Sequence, residues 1–340
     1  MSAAATATHT VQADEAWRPV LAVAAEHEVA AEVDAAFAHA LGFEIRGARF
    51  TLLAAGGRPA PGALITERAD FSDVRAGTRV VIDAGRIGFD GAVVPGVPLD
   101  GLTFFDCTVE PPAERDLPYN LDPPGSAELD ELLARVSRPG SFIPAASGTP
   151  FDQAISARLA TARTAFLAAL SLRARAVDDD PRPLRLAVHD LIGLGIGLTP
   201  SGDDYLVGAL ALLSRHPRAE RTRAALAASI HEALAAPDGR ERTTPVSRHF
   251  LLAACRRAFQ HDLAAAAAAA VDGAGLEAAF AATAAIGSTS GGDALRGLVD
   301  ACAVMRAQLD GGDPAREPAR SLTHNPGPDP RPAIHEGGTP

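Results

Sequence analysis

The sequence predicts an α+β protein, with a β-rich barrel- or sandwich-like N-terminal part and a mostly α-helical C-terminal part. Three observations carry this reading. Between Phe43 and Glu110, short apolar pieces are broken repeatedly by Gly, Pro and Asp, as in antiparallel β structure. From Ser126 onward, Ala- and Leu-rich segments of helical length replace them. A Pro- and Asp-rich stretch, Pro111 to Gly125, separates the two regions and reads as a linker. The expected division is a disordered tail over 1–16, a β-rich unit with linker over 17–125, a helical unit over 126–310 and a disordered tail over 311–340.

In chain order, the Ala-rich run from about Pro19 to Leu41 predicts a helix, with Gly42 as its C-cap. Strands are expected at Ala48–Ala54, Gly62–Thr66, Thr78–Asp83, Arg86–Phe89, Ala92–Val94 and Leu102–Val109. Helices are expected at Ala127–Val136, Phe151–Ala176, Pro183–Ile192, Asp204–Ser214, Ala219–Ala235, Val246–Phe259, Asp262–Val271, Leu276–Ala285 and Asp293–Leu309. The chain is 47% hydrophobic and only 5% aromatic, so the core must be built from Ala, Leu and Val.

Composition also excludes function classes. All 31 basic residues are Arg, which removes a P-loop lysine, a Schiff-base lysine and lysine general bases. A net charge of -11 without a basic run argues against nucleic acid or an anionic membrane as partner. The first residues lack the pattern of a signal peptide. The bland apolar run Ala264–Val271 is far shorter than the roughly 18–20 residues that span a bilayer. Cys107, Cys255 and Cys302 are too far apart for a metal knuckle and read as buried thiols in a reducing cytoplasm.

One stretch stands apart, Gly193-Leu-Gly195-Ile-Gly197-Leu-Thr199-Pro200-Ser201-Gly202-Asp203-Asp204-Tyr205. Four glycines in ten residues would be wasteful in a helix, so this is a loop whose backbone is held close to something. It is neither a Rossmann nor a Walker loop, since the spacing and the lysine are wrong. Ser201 and Asp204 have the spacing of a capping box at the start of a helix. Capping is one reading of them; an anion site at exposed helix-start N–H groups is the other. The adjacent Asp203 and Asp204 would repel an anion unless a cation intervenes. Either Mg²⁺ sits there, with Asp203, Asp204 and Asp293 as candidate ligands, or one Asp caps while the other binds an amide or ammonium group.

The motif recurs. Ser290-Gly291-Gly292-Asp293-Ala294-Leu295-Arg296-Gly297 repeats the Ser201–Gly208 stretch at Ser, Gly, the second Asp, Leu and the last Gly. Two such helix starts would face one another across one pocket. A third polar island, Arg240 to His249, also precedes a helix; Thr244, Ser247 and Arg248 supply hydroxyl and guanidinium donors.

The glycine loop through Tyr205, with Leu206 and Gly208, resembles the signature of the bacterial oxamate carbamoyltransferase subunit family. Thr243-Thr244-Pro245-Val246-Ser247 and Thr289-Ser290-Gly291-Gly292-Asp293 resemble its second and third blocks, and the resemblance extends over about residues 20–310. This chain departs from the family pattern at Ile196, where Pro is common, at Tyr205, where Phe is frequent, and at Ser288, where His is frequent. The resemblance implies exchange of carbamoyl phosphate and oxamate with oxalurate and phosphate, in allantoin catabolism. It also implies partner subunits, one of them acyl-CoA-synthetase-like. On this reading Asp203 and Asp204 are catalytic, and Gly195, Gly197, Thr199, Ser201, Gly202, Thr244, Ser247, Arg248, Ser290 and Asp293 bind a small anionic substrate. Two alternatives stay open: a Mg²⁺-dependent phosphate-ester or acyl-phosphate enzyme, and a non-catalytic scaffold subunit whose loop docks a partner.

Overall fold

The computed structural model describes residues 11–91, 96–110, 125–138, 141–142, 149–175, 180–216 and 218–310. Residues 1–10 of the expected N-terminal tail, the tail over 311–340, most of the linker over 111–125, and the whole of the expected strand Ala92–Val94 lie outside the described residues.

The N-terminal half is one curled nine-stranded sheet, a half-barrel. Its strands are β1 (Gln12–Asp14), β2 (Val29–Phe37), β3 (Ala40–Ile45), β4 (Ala48–Leu53), β5 (Ala63–Ile65), β6 (Arg79–Ile82), β7 (Arg86–Phe89), β8 (Val97–Pro98) and β9 (Thr103–Phe105). They lie in the order β8-β7-β6-β2-β3-β4-β5-β1-β9. Residues 11–16, expected to end a disordered tail, instead supply β1, which pairs antiparallel with β5 and parallel with β9. Trp17 follows, buried; its ring meets Phe43 and Phe50 edge-on and its Nε1 donates to the Gly62 carbonyl.

The helix expected over Pro19–Leu41 is a correction. Only α1 (Arg18–Ala24) is helical; the rest forms β2 and the start of β3. Alanine favours helix locally, but the residues from Val29 also alternate. Val29, Ala31 and Val33 turn inward while Ala30, Glu32 and Asp34 are exposed. Antiparallel pairing with β3 on one side and β6 on the other then outweighs a local preference of a few tenths of a kcal/mol per residue, roughly. Gly42 is accordingly no C-cap. It sits within β3, where a Cβ would come 2.2 Å from Arg49 Nη2. The bare glycine lets the Arg49 guanidinium cross β3 and form a bidentate pair with Asp34, at 2.7 and 2.8 Å.

The C-terminal half is helical: α2 (Ser126–Val136), α3 (Pro150–Ala174), α4 (Arg182–Leu191), α5 (Ser201–Arg215), α6 (Glu220–Ala235), α7 (Gly239–Arg242), α8 (Pro245–Cys255), α9 (His261–Asp272), α10 (Leu276–Ala284) and α11 (Ser290–Asp310). α5 is the central helix. Tyr205, Leu206 and Ala209 through Leu213 are all buried, so it is apolar all round rather than amphipathic. It packs on α11 through backbone contact. A Cβ on Gly208 would lie 1.8 Å from the Ala294 carbonyl oxygen, and one on Gly297 would lie 1.9 Å from that of Tyr205. These four residues are equivalents in the repeated motif: Gly208 matches Gly297, and Tyr205 matches Ala294. The contact is therefore pseudo-twofold symmetric.

The halves are joined through a short seam. Phe259 N donates to Cys107 O, Val109 N to Arg257 O and His261 N to Pro59 O. Arg58 pairs with the buried Asp262 at the start of α9. Among the described residues, no helix is long and apolar enough to cross a membrane.

Candidate functional site

The glycine loop connects α4 to α5 and is folded back on the helix it precedes. Gly193 and Gly195 have φ of 75° and 130°. Both are needed for close approach: a Cβ on Gly193 would meet the Arg242 carbonyl at 1.7 Å, and one on Gly195 the Ser201 amide at 2.5 Å. Gly197 has φ of 96° with open space around it, and it lies between the exposed Ile196 and Leu198. Gly202 packs on the end of α4, where a Cβ would lie 2.1 Å from Leu191 O. Gly291 repeats that contact on α10, 1.9 Å from Thr283 O.

The capping box expected at Ser201 and Asp204 does not form. Pro200 is the N-cap of α5 and Ser201 is its first residue, with no side-chain cap. The Gly202 amide donates to Leu194 O, and those of Asp203 and Asp204 to Pro200 O. The first-turn N–H groups expected to receive an anion are thus largely occupied by the loop itself. What the helix start presents is side chains.

Asp203 is wholly buried and accepts from three donors. Gly193 N reaches Oδ1 at 2.8 Å, and the hydroxyls of Thr243 and Ser247 (the latter at 2.7 Å) converge on Oδ2. Burial raises its pKa while these three bonds lower it. Asp203 therefore ties the glycine loop to the start of α8. Its oxygens are spent, so the three-carboxylate Mg²⁺ site considered from sequence has only two members left. Among the described residues, no group of three or more His, Cys, Asp or Glu is placed to hold a metal ion.

Those two members are Asp204 and Asp293, equivalents in the repeat, brought together by the crossing of α5 and α11. Each has one buried oxygen, Oδ2, with no hydrogen-bond partner. Asp293 Oδ1 accepts from Phe142 N at 3.3 Å. Burial pushes Asp293 up to about 6, against the pull of Phe142 N and the hydroxyls of Ser201, Ser141 and Thr289. Burial also holds Asp204 well above the carboxylate range; the Thr199 and Ser290 hydroxyls oppose this and the Asp293 charge adds to it. Thr199 and Ser290 share a 2.7 Å hydrogen bond, and Ser201 Oγ donates to Ser141 Oγ at 2.6 Å. The result is a nest of two carboxyl groups and several hydroxyls, with unsatisfied acceptors in its wall.

The third polar island divides. Thr244 caps α8, accepting from Ser247 N and donating to Leu198 O, which closes the far end of the loop. Ser247 joins Asp203. Arg248 does not reach the loop; its Nη1 donates to Leu234 O on α6. Ser141 and Phe142 are not singled out by the sequence, and Thr243, a candidate cap there, instead donates to Asp203. Phe142 stacks on Tyr205 with ring centres 4.7 Å apart, and Tyr205 donates to Asp300 at 2.7 Å, so this patch orients α5 and α11. Nothing in the composition around Ser141 signals that role.

Asp204, Asp293, Thr199, Ser201 and Ser290 thus cluster as expected, whereas Asp203, Thr244 and Ser247 act behind them as supports. Chemically the nest offers acceptors and O–H donors side by side, a match for an amide- or ureide-like group that both donates and accepts. No solved structure matches this chain. Residues 191–302, which contain the glycine loop, the Thr243–Ser247 island and the Ser290–Asp293 repeat, match the family model of Oxamate carbamoyltransferase subunit AllH, and that stretch is similar to the family.

Proposed function

We propose that the chain is a subunit of an oxamate carbamoyltransferase, and that the Asp204–Asp293 nest holds the carbamoyl NH₂ group common to carbamoyl phosphate and oxalurate. The observation that carries this reading is the pair of buried, unpartnered carboxyl oxygens at the joint of the two motif copies, inside the stretch similar to that family. An NH₂ group supplies the donors those oxygens lack, and on binding the hydroxyls of Thr199 and Ser290, which in the free chain bond to each other and to Asp204, turn toward its carbonyl. Such fixed partners also polarise the carbonyl for transfer. The remaining machinery for phosphate is then contributed by other parts of the assembly, as expected of one subunit among several, including an acyl-CoA-synthetase-like partner. The exposed Ile196 and Leu198 on the loop favour a docking role for that segment alongside binding.

The test is phosphorolysis of oxalurate by the assembled enzyme carrying Asp204→Asn. The amide keeps the shape but replaces an acceptor with a donor. A loss of kcat/KM of at least about 100-fold with the assembly intact is expected. Wild-type turnover would overturn the assignment, and a lost assembly with normal ligand binding would favour the scaffold alternative.

A further inference from the structure

A cleft of about 760 Å³ lies between α8 and the half-barrel, away from the glycine loop. It falls within the roughly 300–1,000 Å³ typical of small-molecule sites. The other two cavities described are about 220 and 240 Å³.

One face of α8 lines it. Pro245, Arg248, His249, Leu252 and the C-cap residue Arg256 recur at helical spacing along that wall. The facing wall includes Arg49 and Phe50 of β4, and Pro61 and Gly62 lie where His249 Nε2 meets the Pro61 carbonyl at 2.9 Å. Two of the cations here, Arg248 and Arg256, have no carboxylate partner among the described residues. Several other arginines do: Arg18, Arg68, Arg79, Arg223, Arg242, Arg257 and Arg296 each sit against an Asp or Glu. Arg49 also belongs to the lining, but its side chain is 7% exposed and both Nη atoms are paired with Asp34, so the cations left without a counter-charge are those of α8.

The acids of the cleft do not fill that role. Asp14 caps the turn after β1 by accepting from Ala16 N, Glu15 pairs with Arg18, and Asp106 accepts from Thr108. Glu44 lies on β3 at the same rim. The two arginines without a carboxylate partner on the α8 wall, and acids on the other, suit a molecule with an oxyanion at one end and N–H or O–H donors at the other.

We propose that this cleft is a second ligand site, in which Arg256 and Arg248 of α8 bind the carboxylate or phosphate group of a small molecule. The site is independent of the Asp204–Asp293 nest and stands if the carbamoyl reading fails. Its position on the seam between the halves means that a bound anion would bridge them.

The experiment is calorimetric titration of the full chain with inorganic phosphate and, separately, with oxalate, at low ionic strength and pH 7. Binding of at least one anion at a single site is expected, and which one binds distinguishes phosphate from carboxylate. Arg256→Gln should weaken it at least 10-fold; Arg256 is exposed, so the variant should keep the wild-type melting temperature. Asp204→Asn should leave it unchanged. Absence of binding by either anion, unchanged affinity in both Arg256→Gln and Arg248→Gln, or loss of binding in Asp204→Asn instead would overturn the proposal.

Discussion

Replacing Asp293 by Asn should make the protein more stable as pH rises, because the native fold holds this carboxyl at a cost. Asp293 is 2% exposed, and its Oδ2 has no partner. It titrates near 6 in the fold against 3.8 in the unfolded chain. Between those two values the folded state keeps a proton that the unfolded state has already lost. The group therefore favours folding below about pH 4, and this advantage is lost as pH rises through about 6. Above that, ionising it in place costs the folded state on the order of 3 kcal/mol, at about 1.4 kcal/mol per tenfold change in proton affinity. Asparagine never ionises. The stability difference between Asp293→Asn and wild type should be small at pH 4 and grow toward roughly 3 kcal/mol by pH 7.5. Urea unfolding followed by circular dichroism across that range measures it; the difference between the two proteins cancels the titrations that do not feel Asp293, leaving that of Asp204, which loses a repelling charge in the variant. A difference that is flat, or that shrinks as pH rises, would refute the reasoning. If the proposed carbamoyl site is right, the same variant should also slow oxalurate phosphorolysis by the assembled enzyme.

Two further substitutions test the packing around the nest. Gly208→Ala places a methyl group 1.8 Å from the Ala294 carbonyl oxygen, a backbone atom that cannot rotate away. It should cost about 3 kcal/mol or more by separating α5 from α11, and a urea midpoint within error of wild type would contradict the close crossing. Asp300→Ala strips the partner from Arg163, Arg296 and the Tyr205 hydroxyl at once, each now within 2.5–2.8 Å of that carboxylate. Arg163 then loses the carboxylate it pairs with while Arg296 keeps Asp130, so the change should cost roughly 3 kcal/mol, and a loss under about 1 kcal/mol would show the network to be dispensable.

Much of this was legible in the sequence, for identifiable reasons. Each helix expected beyond Ser126 is present, with ends shifted by about a turn or less, because long apolar-periodic segments bounded by caps leave few alternatives. The three buried cysteines were read correctly as thiols in the core. The run Val29–Leu41 reads as helix in the sequence because alanine carries a helix preference whatever its partners, while its strand identity depends on β6, some fifty residues away. The roles of Asp203 and Asp204 were merged because adjacency in sequence hides that helical geometry points neighbours about 100° apart. Asp203 turns toward Thr243 and Ser247, and Asp204 turns toward α11. The cleft under α8 was invisible. Its walls come from residues 14–16, 44–62, 106–108 and 245–258, and no local pattern links them.

The pseudo-symmetry separates what the motif repeats from what it adds. The repeated positions are Ser201 and Ser290, Gly202 and Gly291, Asp204 and Asp293, Leu206 and Leu295, and Gly208 and Gly297. The glycines let each helix touch its neighbours through backbone, and that contact brings the two aspartates together. The repeat breaks at Asp203, Tyr205 and Val207, opposite Gly292, Ala294 and Arg296, and Asp203 is the one carboxylate of the first copy without a counterpart. Asp203 is also the carboxylate whose oxygens are fully used, and its work is to tie down the long glycine loop that the second copy lacks. Symmetry thus falls on the residues left with unsatisfied oxygens, and asymmetry on the tether. Two like carboxyls forced together at a joint raise each other's pKa and gain nothing in stability. A fold that needed only to cross two helices there could do so with the glycines alone, so the carboxyl pair is best explained by what it binds.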